Sequence, residues 1–159
     1  MKDKKRLRDG VVLALATGFG TGLSPFASGT VGTLPALPIV WIVWWLYPDW
    51  LVQLVLAVVL SVIAIPICSA AERRFQTKDD GRIVADEYLT FPICMIGLPL
   101  SPLMLGIAFV TARIFDVLKP PPANQLQAVK GGTGIVIDDV VASLYSLGVN
   151  HLIYHFLLK

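Results

Sequence analysis

The chain has 159 residues, of which 55% are hydrophobic and 15% charged, with a net charge of +2 and a mean hydropathy of +0.72. Soluble domains are usually about 45 to 50% apolar and about 25% charged, so the composition excludes a water-soluble monomer and a disordered chain. We expect no nucleic-acid partner, because the net charge is small and Lys and Arg form no basic stripe beyond the N-terminus. Cys68 and Cys94 both lie in apolar runs, and two cysteines build neither a disulfide framework nor a zinc site. We expect a single domain, residues 1–159, whose outer surface meets lipid.

The N-terminal segment, residues 1–9, is basic and contains five Lys and Arg between positions 2 and 8. The apolar run that follows covers only residues 11–16 before a glycine-rich stretch begins. A signal peptide needs a longer apolar region, so we expect this segment to stay attached.

A helical hairpin is predicted around Asp49, the one charged residue between positions 10 and 71. Two apolar segments, residues 34–47 and 50–71, flank it. A bilayer core about 30 Å thick needs roughly 20 helical residues, so the second segment can span it. The first is short, with prolines near its start, unless the residues from Val31 are included.

The third apolar stretch, residues 88–112, is interrupted by prolines at positions 92, 99 and 102. These predict two short helices joined by a turn near residues 97–102. The last stretch, residues 135–158, is long enough to span. The fold class expected is therefore all-α, a compact multi-helix integral membrane bundle with short or broken helices.

The distribution of Lys and Arg predicts which polar loops share a side of the membrane. Four fall in residues 73–82 and three in residues 113–130, whereas the turns near Asp49 and at 97–102 carry none. Cytoplasmic loops are enriched in Lys and Arg, so the basic segments are expected on the cytoplasmic face and the two turns across or deep in the membrane. Every unusual polar cluster then gathers at the cytoplasmic face.

One of these clusters is the glycine-rich segment 18–33, with five glycines, two serines and three threonines. Glycines let backbone N–H groups approach an anion and hydroxyls add donors, so this segment is a candidate phosphate cradle. It matches neither a P-loop nor a dinucleotide fingerprint. The competing interpretation is a flexible loop at the membrane surface.

Two clusters of carboxylates adjoin apolar sequence. Asp86 and Glu87 stand at the start of an apolar helix, and Asp138 and Asp139 lie inside an otherwise apolar run. Carboxylates in such sequence are costly without a counter-charge or a bound cation. With no His or Cys nearby, oxygen ligands favour Mg²⁺ over zinc. The competing interpretation is structural, with Asp86 and Glu87 serving only the helix dipole.

A third polar segment contains Arg113, Asp116 and Lys119. Arg113 and Asp116 are three residues apart on a predicted helix, a spacing that also suits a simple surface ion pair.

Taken together, these clusters resemble the phosphatidylglycerophosphatase A family of bacterial membrane lipid phosphatases. The pieces that carry the resemblance, in family order and spacing, are GTGLSP (20–25) with GTVGT (29–33), DDGRIVADE (79–87), RIFD (113–116) with KP (119–120), and GGTGIVIDD (131–139). The ordered set covers roughly residues 10–150 and is specific.

The resemblance implies Mg²⁺-dependent removal of the terminal phosphate from phosphatidylglycerophosphate to give phosphatidylglycerol, in phospholipid biosynthesis. It also implies an anionic phospholipid substrate and a multi-pass protein of the bacterial inner membrane whose active site faces the cytoplasm. The catalytic residues implied are Asp86, Glu87, Asp116, Asp138 and Asp139. The Mg²⁺ ligands implied come from Asp79, Asp86, Glu87, Asp138 and Asp139. The phosphate-binding residues implied are Ser24, Gly29, Thr30, Gly32, Thr33, Arg113 and Lys119.

Two other classes of protein remain open from the residues alone. A small ion transporter or channel component would use the carboxylates as an ion path through the bilayer. A non-catalytic membrane scaffold is the other alternative. Against both, the acidic residues are expected at one membrane face together with a Gly/Thr loop.

Overall fold

The computed structural model describes residues 10–77, 80–126, 129 and 131–159, and the described residues form helices and turns without a strand. In chain order the helices are α1 (10–16), α2 (Ser28–Thr33), α3 (Ala36–Leu46), α4 (Trp50–Phe75), α5 (Ala85–Thr90), α6 (Pro102–Leu118), α7 (Ala123–Leu126) and α8 (Gly132–Ile153). Short 3₁₀ turns cover Thr21–Leu23 and Phe91–Met95, and a π-turn covers Tyr154–Leu158. The all-α prediction is confirmed.

Three helical segments are long and apolar enough to cross a membrane: Ser28–Leu46, Trp50–Phe75 and Gly132–Leu158. The first reaches spanning length only because α2 and α3 are nearly continuous, as expected if the residues from Val31 are included. The chain is therefore a membrane protein.

The predicted turn between α3 and α4 is confirmed, and Asp49 has a structural role in it. Its Oδ1 accepts hydrogen bonds from the backbone N–H groups of Leu51 at 2.9 Å and Val52 at 3.2 Å. These are N-terminal N–H groups of α4 that have no partner within the helix, so Asp49 is the N-cap.

The break in the third apolar stretch is also confirmed. Pro92 lies in the 3₁₀ turn after α5, and α6 begins at Pro102. The N–H of the first residue of a helix has no partner within the helix, so a proline at this position loses no hydrogen bond. Ser101 caps α6 by accepting from Met104 N–H at 3.1 Å. The helix runs on to Leu118, six residues beyond the predicted apolar stretch, which places Arg113 and Asp116 on its last two turns.

A buried polar network fixes how α6 and α8 face each other. Thr111 Oγ1 lies 2.7 Å from Ser146 Oγ and 2.8 Å from Asn150 Oδ1. Asn150 Nδ2 donates to Cys94 O at 3.0 Å. Because an unsatisfied polar group is costly in apolar surroundings, this network sets the rotation of α6 two residues before Arg113.

The two turns that lack Lys and Arg lie together at one end of the bundle, where residues 48–50 and 96–99 line a common pocket of about 710 Å³. Gly97 N–H donates to Gln53 Oε1 at 2.9 Å, which ties the second turn to α4. The polar clusters lie on α2, α5, the end of α6 and the start of α8.

This arrangement gives a topological prediction at Arg82, whose side chain is 48% exposed. A cysteine at Arg82 in a cysteine-free variant should be shielded from an impermeant thiol reagent in intact cells and labelled once the membrane is opened. Labelling in intact cells would contradict the cytoplasmic assignment. The equivalent position Lys130 lies outside the described residues.

Candidate active site

Helix α5 brings the first carboxylates into the bundle. Val84 N–H, at its start, donates to Ala16 O at 2.8 Å, and Tyr88 Oη donates to Leu15 O at 2.9 Å, so α5 is held against α1. Asp86 is buried, and Glu87 is half-buried beside it. Both lie in the first turn of α5, as the dipole interpretation expects, but their contacts extend well beyond that turn.

Arg113 is the centre of the site. Its Nη1 donates to Glu87 Oε2 at 2.9 Å and to Thr33 Oγ1 at 3.2 Å, and its Nη2 contacts Asp116 Oδ2 at 2.8 Å. The Arg113 and Asp116 side chains are only 17% and 18% exposed. The predicted pairing of Arg113 with Asp116 is therefore present, but it is largely buried and extends to α5 and α2.

The glycine-rich segment approaches this pair closely at Gly29. A Cβ at Gly29 would lie 2.5 Å from Glu87 Oε1 and 2.6 Å from Arg113 Nη2. Thr33, one turn later, has its Oγ1 2.8 Å from Gly29 O and 3.0 Å from Glu87 Oε2. Part of the segment is thus a short helix packed against the charged residues, rather than a flexible loop.

Gly29→Ala should therefore separate Glu87 from Arg113 and lower turnover at this candidate site by at least about ten-fold, because small displacements of positioning groups are costly. Gly106→Ala is the matched control, since nothing lies within 4 Å of a Cβ at that helical position. Alanine there should stabilise α6 slightly. Equal activities of the two variants would contradict this role for Gly29.

Burial raises the pKa of Glu87 to about 7, although the charge of Arg113 acts to lower it. A carboxyl group with a pKa near 7 exchanges protons readily at neutral pH. Glu87 is therefore suited to acid–base chemistry, in addition to its ion pair.

A second ion pair joins α6 to α8. Lys119 Nζ lies 2.6 Å from Asp138 Oδ2, and the Asp138 side chain is 2% exposed. Burial acts to lower the pKa of Lys119, but the hydrogen bond with Asp138 and the charges of Asp138, Asp139 and Asp116 together outweigh it and raise the pKa above its usual range. Lys119 ends α6 with a φ of +41°, a left-handed conformation that is rare for a residue with a side chain.

Asp139 faces a small cavity of about 20 Å³, which has room for one water-sized group. Glu87, Arg113, Asp116 and Thr33 line the same cavity. Two of its lining residues each carry a buried atom, Asp139 Oδ2 and Arg113 Nε, that makes no hydrogen bond within the described part of the chain. The residues around the cavity therefore include one unsatisfied acceptor and one unsatisfied donor.

The five predicted catalytic carboxylates lie near one another, with Asp139 among them. The charges of Asp86, Asp116, Asp138 and Glu87 all act on Asp139, and that of Asp86 acts most strongly. Among the described residues, however, no group of three or more His, Cys, Asp or Glu is already assembled as a metal site. Three of the carboxylates contact cations instead: Glu87 and Asp116 contact Arg113, and Asp138 contacts Lys119.

Three predicted phosphate-binding residues lie apart from the ion pairs. Ser24 hydrogen-bonds with Phe26, donating to its O at 2.8 Å and accepting from its N–H at 3.3 Å. Gly32 packs against Val84, and a Cβ at this position would overlap the Val84 side chain. Thr30 lines an apolar groove next to Arg113. Asp79, a predicted metal ligand, lies outside the described residues.

Two polar residues on the cavity wall were not predicted from the sequence. Thr90 and Ser143 both line it. Thr90 Oγ1 donates to Asp86 O at 2.7 Å, the common hydrogen bond of a helical threonine with the carbonyl four residues earlier. Neither residue stands in a cluster of polar residues, so the sequence gives no signal that separates them from other helical hydroxyls.

Comparison with known proteins identifies the family. A family model described as phosphatidylglycerophosphatase A matches residues 14–154, a range that contains every described residue of the site. The chain belongs to the phosphatidylglycerophosphatase A family. It is therefore a phosphatase, a hydrolase of phosphoric monoesters, and this excludes the transporter and scaffold alternatives as its primary role.

Individual relatives support the assignment. Phosphatidylglycerophosphatase A of Escherichia coli (strain K12) is 35% identical over 143 residues, which cover 89% of this chain and 82% of the relative. The protein of that name from Haemophilus influenzae is 32% identical over 146 residues, 91% of this chain and 89% of the relative. A Bacteroides thetaiotaomicron protein with the provisional name phosphatidylinositol-3-phosphatase is 34% identical over 137 residues, 83% and 86% of the two chains. No solved structure matches significantly.

Proposed function

We propose that this chain removes the terminal phosphate of phosphatidylglycerophosphate in a Mg²⁺-dependent reaction that yields phosphatidylglycerol for phospholipid biosynthesis. The observation that carries the proposal is the family match over residues 14–154, which includes the buried cluster around Arg113. We place the reaction at the cytoplasmic face of the bacterial inner membrane, because five basic residues lie at the end of the bundle that holds the cluster: Arg73, Arg74, Arg82, Arg113 and Lys119.

Arg113 and Lys119 are the residues that bind phosphate in this proposal. A phosphomonoester repels nucleophiles through its own charge, so catalysis depends mostly on neutralising that charge and positioning the phosphate. Arg113 Nε is a buried donor without a hydrogen-bond partner in the described part of the chain, and Arg113 lines the cavity. It can donate to a phosphate oxygen while both Nη atoms keep their carboxylate contacts.

The donor set fits Mg²⁺ in its chemistry. Asp139 supplies a buried carboxylate oxygen without a hydrogen bond, and the nearby carboxylates provide further oxygen atoms. We propose Asp139 and Asp86 as principal ligands, with Asp138 adjusting its contact with Lys119. A bound Mg²⁺ neutralises phosphate charge as a Lewis acid.

Glu87 is the proposed proton-transfer residue. Hydrolysis breaks the bond between phosphorus and the glycerol oxygen, adds the oxygen of water to phosphorus and leaves a proton on the lipid hydroxyl. With a pKa of about 7, Glu87 can supply that proton, and Arg113 holds its carboxyl group in place. Thr33 adds a second contact that orients Glu87.

Release of inorganic phosphate from phosphatidylglycerophosphate by purified protein in detergent tests the proposal. We expect activity with Mg²⁺, loss of activity in EDTA and its return when Mg²⁺ is added back. No release under either condition would overturn the proposed substrate. Release that is insensitive to EDTA would overturn the metal dependence alone.

The Bacteroides relative raises a second candidate substrate, phosphatidylinositol 3-phosphate. It is also a phosphomonoester on a lipid headgroup, so the same contacts with Arg113 and Lys119 would serve. Parallel assays of both lipids, compared by kcat/KM, distinguish the two. A higher kcat/KM for the inositol lipid would replace the first candidate with the second.

A further inference from the structure

An apolar groove of about 490 Å³ runs along the outer face of α6. Val110, Ile114, Val117 and Leu118 line it, at the spacing that places residues on one stripe of a helix. All four are exposed, by 56, 47, 75 and 68% respectively. From residue 109 to residue 118 the groove extends about 14 Å along the helix axis.

The groove is continuous with the candidate active site through one residue. Arg113 lines both the groove and the small polar cavity that contains Asp139 and Glu87. Thr30, on α2, is the other polar residue of the groove wall. The arrangement offers an apolar surface with a cationic group beside it, which matches the two parts of a phosphorylated lipid.

A second apolar groove lacks this connection. It lies between α4 and α8, has a volume of about 240 Å³ and is lined by residues that include Val58, Ile65 and Val136. No charged side chain lines it among the residues that the structure describes. Exposed apolar surface alone is expected for any membrane protein, so the contact with Arg113 distinguishes the α6 groove.

We propose that the α6 groove seats an acyl chain of the phospholipid whose phosphate contacts Arg113; this rests on the proposed function. The groove opens on the outer surface of the bundle, so the substrate reaches the site sideways from the bilayer. Its chain lies against Val110 and Ile114 while its phosphate turns inward past Thr30. Because lipid tails are as apolar as the groove, the groove contributes orientation rather than a hydrophobic driving force.

Val110→Trp tests the proposal, because it fills the groove at an exposed position outside the catalytic cluster. We expect KM for long-chain phosphatidylglycerophosphate in mixed micelles to rise by about ten-fold with kcat little changed, a typical cost of a misfit in a pocket. Val58→Trp is the matched control, since Val58 is 53% exposed in the unconnected groove. It should keep the wild-type KM. Val117→Trp provides a second blocking variant.

A photoreactive phosphatidylglycerophosphate with a diazirine in one acyl chain gives a readout independent of turnover. Wild-type protein should be labelled on α6 at residues 109–118, and excess unlabelled substrate should suppress that labelling, whereas phosphatidylcholine should not. Labelling on α6 should fall in Val110→Trp and persist in Val58→Trp. Thermal midpoints verify that each variant is folded.

Three outcomes would overturn the groove assignment. The first is an active wild type in which the Val110→Trp and Val117→Trp variants match Val58→Trp in KM and in labelling. The second is labelling that excess substrate does not suppress. The third is that the blocking variants lose activity and that their detergent-solubilised complexes also change in mass. That result would make the groove an interface between copies of the chain. An inactive wild type that is still labelled competitively on α6 would instead count against the proposed reaction.

Discussion

Asp139→Asn should lower turnover by about two or more powers of ten while raising the thermal midpoint of the metal-free protein. The substitution keeps the size of the side chain and removes one charge from the group that we propose holds Mg²⁺. Loss of a single charge-stabilising group typically costs a rate factor of this size. Stability responds in the opposite direction, because Asp139 is surrounded by the charges of four other carboxylates and the substitution relieves that repulsion.

The same substitution at Asp86 and Asp138 separates two structural environments. Asp86→Asn should behave like Asp139→Asn in rate. Asp138→Asn should also lose activity, but it should lower the thermal midpoint, because it removes the negative charge that pairs with Lys119 at 2.6 Å and leaves that partly buried cation without its counter-charge. The thermal midpoint is thus expected to change in opposite directions for Asp139→Asn and Asp138→Asn, because only Asp138 pairs with Lys119.

The measurement is turnover and thermal midpoint for the three variants, each in EDTA and across a Mg²⁺ titration. Asp49→Asn is the matched control, since it changes an aspartate at the other end of the bundle and asparagine caps helices equally well. It should leave rate and midpoint near wild type. Near-wild-type turnover in all three cluster variants would rule out the proposed metal site.

The apolar pattern predicts most of the fold because a bilayer limits the available structures. A charge flanked by two apolar runs has to be a turn, and the structure places Asp49 at the N-cap of α4. The prolines likewise locate the break before α6. The ends of helices are less predictable: α6 continues past Ala112 because the charged residues of its last two turns form ion pairs instead of facing lipid, Arg113 with Glu87 of α5 and with Asp116 within α6.

The candidate site is likewise predictable from the sequence only in part. Residue type and apolar surroundings suffice to select Asp86, Glu87, Asp138 and Asp139, since buried carboxylates are rare without a reason. Which cation pairs with which carboxylate depends on contacts between residues 26 and 19 positions apart, Arg113 with Glu87 and Lys119 with Asp138. Nothing in the sequence pattern predicts those pairings. The sequence also cannot distinguish Gly29, which borders the ion pair, from Gly32, which packs on Val84.

Replacing Arg113 should have the largest effect on rate and stability together. Arg113→Gln leaves Glu87 and Asp116 without their shared cation, in surroundings where both side chains are less than one-fifth exposed. We expect the free energy of unfolding to fall by about 3 kcal/mol, because an uncompensated buried charge is costly. Turnover should fall by about three powers of ten, because the variant also loses its phosphate contact.

Arg113→Lys separates charge from geometry. Lysine keeps the positive charge but has a single terminal nitrogen, so it cannot repeat the contacts that Nη1 and Nη2 make with two carboxylates and Thr33. It should recover much of the stability and little of the turnover. Recovery of both to wild-type levels would mean that Arg113 acts only as a counter-charge.

The control for both variants is Arg82→Gln, which breaks another arginine–carboxylate pair, with Asp80, near the start of α5. The Arg82 side chain is about half exposed, so solvent screens the pair and its loss should change the thermal midpoint and turnover very little. If Arg82→Gln reduced turnover as strongly as Arg113→Gln, the site would respond to any loss of positive charge at this end of the bundle. A large loss confined to Arg113 instead assigns the effect to the cavity that this guanidinium shares with Asp139.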